Sequence, residues 1–227
     1  MLAAGRLAAA ASERSEPARY PWCLGVSVSF LGVPREGAVT SRATVLRRGR
    51  DVAHIGADAR DSSGASVASA SLTCSFRADG DNPSASRTAL GGAESECTST
   101  GTIAASPYLS AAGVEFLDPA GRIARLRLPC APNVAENPRR VDDGAIAGLV
   151  DSCAAFASYL DDREGFERSG VTVSMSLNLH AAVPEDLLGR AWVLSRSGSC
   201  RIAQVEVGGV ASGLVAASGV AVYRISG

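Results

Sequence analysis

The sequence predicts an α+β chain of two similar halves, each pairing one helix with a run of antiparallel strands. Three observations carry that expectation. One strongly patterned helix fills the stretch from Asn137 to Leu160. Short runs of alternating apolar and polar residues flank it on both sides. The second half then repeats the first at an offset of about 148 residues.

The first segment, Met1 to Ala11, reads as a helix from its alanine and leucine, with no capping residue before it. Its apolar run is broken by Gly5 and Arg6, which argues against a signal peptide. Ser12 to Pro21 is a polar loop. Four strands are expected next. Leu24 to Leu31 places Val26, Val28 and Phe30 at period two. Val39 to Leu46 and Val52 to Ala59 follow, separated by a turn at Gly49. Asp61-Ser62-Ser63-Gly64 is a turn signal, and Ala65 to Phe76 closes the set.

Arg77 to Thr102 is rich in Ser, Gly, Asp and Thr without period, and reads as a linker. Val114 to Leu117 and Ile123 to Leu128 form a hairpin around Pro119-Ala120-Gly121. A proline-bearing loop leads to the helix. Val141, Ile146, Leu149, Val150, Cys153, Ala157 and Leu160 make its apolar stripe, and Asp142 or Asp143 supplies the N-cap carboxylate. Asp151 stands about 140° from the centre of that stripe, beside Ala147 and Ala154. After a charged turn at Asp161 to Arg168, strands return over Val171 to Leu179, Leu187 to Leu194, Arg201 to Val207 and Leu214 to Ile225.

The repeat is visible residue by residue. Ala43-Thr44-Val45-Leu46 matches Ala191-Trp192-Val193-Leu194, and Ser27-Val28-Ser29-Phe30 matches Ser174-Met175-Ser176-Leu177. Gly64 before Val67-Ala68 matches Gly213 before Val215-Ala216. Carried backwards, the offset lays Met1 to Ala11 on the helix that bears Asp151. The domain limits read as 1–78 for a first copy truncated at its N-terminus, 79–105 for the linker and 106–227 for the second copy. The first copy has no acid at the position of Asp151, which falls near Leu7.

Composition narrows the function. Apolar residues are 46% of the chain and charged ones 20%, enough for packed cores and too apolar for disorder. A net charge of -1 implies no nucleic-acid partner. All the basic residues besides two histidines are arginine. The cysteines, Cys23, Cys74, Cys97, Cys130, Cys153 and Cys200, show no CxxC spacing and none lies in ligand spacing with His54 or His180, so no metal site is expected. Thiols in a reducing cytoplasm are the reading, with Cys153 inert on the buried stripe. No apolar run reaches membrane-span length, and no membrane partner is expected.

Asn137-Pro138, then Asp142-Asp143-Gly144-Ala145-Ile146-Ala147, then Asp151 resembles the helix-opening motif of the hotdog acyl-CoA thioesterases of the phenylacetate-pathway type. So do Thr172-Val173-Ser174-Met175 and Gly213-Leu214-Val215-Ala216. The likeness covers the second half and, as a truncated copy, the first. It implies two fused hotdog domains, each a curved antiparallel sheet wrapped around a central helix, packed as a pseudo-dimer that leaves room for a homo-oligomer. It further implies hydrolysis of an acyl-CoA or related thioester with no cofactor. Asp151 would serve as general base or nucleophile, the backbone amides of Asp143 and Gly144 as the oxyanion site, and Asn137 as the residue that positions water or carbonyl.

This chain departs from the family at two places. Asp142 stands where the family has His, and Asp143 where it has its first Gly. Negative charge there opposes an oxyanion unless it faces solvent or Arg139 and Arg140. Without the resemblance, Asp151 is a polar residue on a solvated helix face, Asp142 and Asp143 are caps, and Asn137 is a turn residue. The competing function is a catalytically inactive hotdog protein that binds acyl groups or acts as a structural partner. His54 and His180 lie in or at the end of strands, away from the helix start. The Arg47-Arg48-Gly49-Arg50 turn is a solvated charge cluster that the resemblance would offer to coenzyme A phosphates.

Overall fold

The structure, a computed structural model, describes residues 19–35, 37–78, 107–137, 140–162 and 168–226, with the side chains of 19–21, 77–78, 135–137 and 140 left aside. The expected helix over Met1 to Ala11 and the linker over 79–105 lie outside these residues. The chain divides into two compact units, Met1–Asn82 with Val173–Leu179, and Pro83–Thr172 with His180–Gly227.

The first unit is an antiparallel sheet of β1 (Arg19–Phe30), β2 (Thr40–Arg48), β3 (Val52–Arg60) and β4 (Ser66–Ala78), in the order β2-β3-β4-β1. Residues Val173–Leu179 of β9 (Gly170–Leu179) extend it beside β1, with Leu177 opposite Val26 and Met175 opposite Val28. The expected alternation holds at Val26, which is buried with Ile55, Leu72, Cys74 and Phe76, but Phe30 at the end of β1 is exposed. The turn at Asp61 closes as its sequence promises. Its carboxylate accepts from Ser63 N at 2.9 Å, Ser63 Oγ at 2.7 Å and Ala65 N at 3.0 Å. Gly64 takes φ +83° there and Gly213 takes φ +65° in the matching hairpin, a region only glycine enters without strain.

The second unit holds the central helix α2 (Asp143–Asp161), and a short helix α1 (Pro107–Ala112) precedes it. Its strands β5 (Glu115–Ala120), β6 (Ile123–Leu128), β10 (Leu187–Ser197), β11 (Cys200–Gly209) and β12 (Val215–Ile225) pair antiparallel in the order β12-β11-β10-β6-β5. A two-stranded ribbon, β7 (Ala135–Asn137) with β8 (Arg140–Val141), replaces the loop expected before the helix. Register breaks at Val193/Ser195 and Val207/Gly208 bend the sheet, since an extra residue on one strand coils a ladder.

The helix packs on β6, β10, β11 and β12. Ile146, Leu149, Val150, Cys153 and Ala157 are buried as their period requires. Burial is wider than one stripe, though. Ala154, Phe156 and Ser158 are buried too, Phe156 with its ring edge-on to Phe116 at 5.4 Å, while Leu160 is partly exposed. A curved sheet covers more of a helix than a flat layer does, so helical period alone understates the contact. Close approach depends on Gly189 of β10, where an added Cβ would strike Cys153 Sγ and stand 3.2 Å from Leu149 Cγ. The five described cysteines form no disulfide.

At the C-terminus of α2, Asp161 meets Arg122 at 3.4 Å, Arg196 at 2.5 Å and Arg201 at 3.3 Å, and Asp162 meets Arg201 at 3.2 Å. Acids at a helix C-terminus oppose the macrodipole, and three guanidinium groups offset that repulsion.

Candidate active site

The start of α2 is built by Asp142. Its backbone is extended (φ -60°, ψ 138°), and its amide donates to Val134 O at 2.8 Å, which anchors the turn. Its carboxylate accepts from Gly144 N at 2.7 Å and Ala145 N at 3.3 Å. Asp142 is therefore the N-cap, and Asp143 is the first helical residue. The Gly144 amide, expected to be open to an oxyanion, is engaged by Asp142 because a carboxylate at the N-cap is the nearest acceptor for the second helical N–H.

About two turns on, Asp151 meets Thr172. Thr172 Oγ1 donates to its Oδ1 at 2.5 Å. Burial pushes the Asp151 carboxyl above its ordinary value, and the Thr172 bond acts in the opposite direction. The carboxyl is thus a desolvated, oriented group on a helix and not a residue on a solvated face.

Tyr108, carried by α1, lies against the same helix. A Cβ on Gly148 would stand 2.5 Å from its hydroxyl and 2.6 Å from its ring, so the ring rests on bare helix backbone. The hydroxyl reaches Gly144 O at 3.5 Å. Burial, then the negative charges of Asp142 and Asp151, raise the hydroxyl above its usual range. Residues 144, 148 and 151 share one helical face, so Tyr108 lies along the line from the cap to the acid. Near Gly170, Tyr223 stacks edge-on with Tyr159, their hydroxyls 2.8 Å apart, and its own hydroxyl is raised mainly by burial.

The remaining candidates fall elsewhere. Asn137 is in β7, and its side chain lies outside the description, as do those of Arg139 and Arg140. Cys153 is fully buried and its thiol is raised far up by that burial. His54 pairs with Thr73 Oγ1 at 3.4 Å on a strand, and His180 with Ser218 Oγ at 2.8 Å. Arg48 stacks over Phe76 at 5.0 Å. No cluster of metal-binding side chains occurs among the described residues, and none of their helices is long and apolar enough to cross a membrane.

Residues 2–76 match the family model of the acyl-CoA thioesterase N-terminal domain. A conserved protein of unknown function with hot dog fold from Alicyclobacillus acidocaldarius superposes over 100% of this chain and 86% of its own, with TM-score 0.69 and 16% identity. The chain carries the hotdog fold. A candidate thioesterase from Novosphingobium aromaticivorans shares the fold at TM-score 0.72 and 21% identity, over 99% of this chain and 85% of that one. Acyl-CoA thioesterase II from Mycobacterium marinum does so at 0.65 and 12%, over 99% and 87%. No curated protein matches the chain by sequence.

Within this hotdog fold, the N-cap and the burial-prone helix of Asp151 are marked in the sequence, but the residues that meet Asp151 and the cap are not marked as doing so. Thr172 had a signal, since it opens the strand motif quoted for the family. Tyr108 had none, because its place over Gly148 arises from packing between elements some 40 residues apart.

Proposed function

We propose that the chain hydrolyses an acyl-CoA or related acyl thioester, with Asp151 as the acting carboxylate. The observation that carries this reading is the Thr172–Asp151 bond on a desolvated acid. Such a carboxyl, lifted toward neutrality, is a stronger base than a solvated one, and the Thr172 bond to Oδ1 leaves Oδ2 for water.

As general base, Asp151 takes a proton from water while the oxygen bonds to the acyl carbon and the carbonyl electron pair moves to oxygen. The C–S bond then breaks, and the proton passes to the departing thiolate. As nucleophile, Asp151 itself bonds to the acyl carbon, thiolate leaves, and water cleaves the resulting anhydride. The helix N-terminus at Asp143 and Gly144 supports the developing oxyanion. It does so fully at Gly144 only when the acyl oxygen displaces the Asp142 carboxylate. Asn137 positions the water or the carbonyl. Two fused hotdog domains forming a pseudo-dimer, a cytoplasmic location and homo-oligomers of that unit complete the proposal.

The test is thiol release from acetyl-, hexanoyl-, palmitoyl- and phenylacetyl-CoA by the wild type and by Asp151→Ala. Release that disappears with Asp151 supports the reading, and equal release by both proteins refutes the role of Asp151. Binding of acyl-CoA without any release would point to the non-catalytic acyl-binding alternative.

A further inference from the structure

We propose that Tyr108 is a substrate-contacting group of this site, its hydroxyl donating to the acyl carbonyl oxygen. The inference rests on the hydrolase reading above and adds a side-chain donor to the helix amides of that reading. The amide best placed at the helix start, Gly144 N–H, already serves Asp142 at 2.7 Å. That leaves room at the oxyanion for another donor beside the Asp143 amide.

Tyr108 meets the requirements in turn. Its ring lies on Gly148, midway along the helix face between the cap and Asp151, and any side chain at 148 would displace it. Its bond to Gly144 O is 3.5 Å long, at the limit of hydrogen bonding, so the hydroxyl is exchanged to a better acceptor at little cost. The residue is 49% exposed and is therefore open to an incoming ligand. Burial, and then the negative charges of Asp142 and Asp151, favour the protonated hydroxyl, and a protonated phenol donates.

In the reaction, water oxygen bonds to the acyl carbon as Asp151 accepts the water proton. The carbonyl electron pair moves onto the oxygen that Tyr108 holds. The pair returns as the C–S bond breaks, and the thiolate collects the proton from Asp151. Tyr108 keeps its own proton throughout. Because the bond strengthens as charge develops, it acts on kcat more than on KM.

The experiment compares steady-state hydrolysis of the four acyl-CoA substrates by wild type, Tyr108→Phe, Tyr108→Met and Asp151→Ala, with the thermal midpoint of each. Tyr108→Phe keeps the ring on Gly148 and loses only the hydroxyl. It is expected to lower kcat by about tenfold to a hundredfold with KM and the midpoint unchanged. Tyr108→Met, lacking ring and hydroxyl, should match that kcat loss and raise KM as well. Full kcat in Tyr108→Phe while Asp151→Ala is dead overturns the role of Tyr108 and leaves the hydrolase reading standing. A change in KM or midpoint with kcat intact overturns it too. No hydrolysis by the wild type removes both readings together.

Discussion

Thr172 Oγ1 donates to Asp151 Oδ1 across 2.5 Å, tying the first residues of β9 to the middle of α2. The bond works against burial, which holds the Asp151 proton. Thr172→Val should leave burial unopposed. The acid limb of kcat/KM is expected to move up by about one pH unit, with activity recovering at higher pH. A pH profile of kcat/KM for both proteins measures it, and an unmoved limb would mean that Asp151 is not the titrating group.

Stability should carry the same signature. The folded carboxyl of Asp151 titrates above the ordinary aspartate value of 3.8, so the folded state holds the proton more tightly than the unfolded one. The contribution to stability is full below 3.8 and is lost as pH rises through the folded value. Asp151→Asn has no charge to desolvate. Its unfolding midpoint should therefore exceed the wild type's at pH 7, and the gap should close below about pH 4. Urea melts across that range read it directly.

Asp142 both caps the helix and sets a negative charge beside the proposed oxyanion. Asp142→Ala should cost about 1 kcal/mol of stability. Asp142→Asn retains the acceptor, so its stability should stay within a few tenths of a kcal/mol. With the charge gone, its kcat is expected to rise several-fold. A fall in kcat for the Asn variant would show that the carboxylate assists the reaction.

Packing at Gly189 predicts a paired effect. Gly189→Ala thrusts a methyl into Cys153 Sγ and should cost roughly 1–3 kcal/mol. Adding Cys153→Ala removes the obstacle and should return part of that loss. Equal destabilisation with and without the thiol would place the strain elsewhere.

The arginine cluster predicts a stability effect remote from chemistry. Asp161 and Arg201 are only 6% and 13% exposed at their side chains. Arg201→Ala should lower stability by about 2 kcal/mol, while Arg122→Ala, whose side chain is 76% exposed, should cost under about 1. Denaturant midpoints separate the two.

The helix, the hairpins and Asp151 were legible in the chain itself, because each is a local matter. A 3.6-residue period, an acid before an apolar run and Asp61-Ser62-Ser63-Gly64 act over a few residues, and neighbours along the chain suffice to specify them. The helix α1 and the β7–β8 ribbon escaped, being too short for any period to mark.

What the sequence determined alone was the central helix, the order of the long strands around it and the acid that stands apart from the apolar stripe. Tertiary structure decided the surroundings of that acid. Burial of its carboxyl, the hydroxyl of Thr172 about 20 residues away and the ring of Tyr108 over Gly148 all depend on surfaces that meet only when the sheet curls around the helix. The same folding chose Asp142 over Asp143 as the cap and closed the Gly144 amide, because an extended backbone at Asp142 aims its carboxylate at the first free turn. Spacing along a chain sets which residues can share a face, and desolvation and cross-element contact set their chemistry.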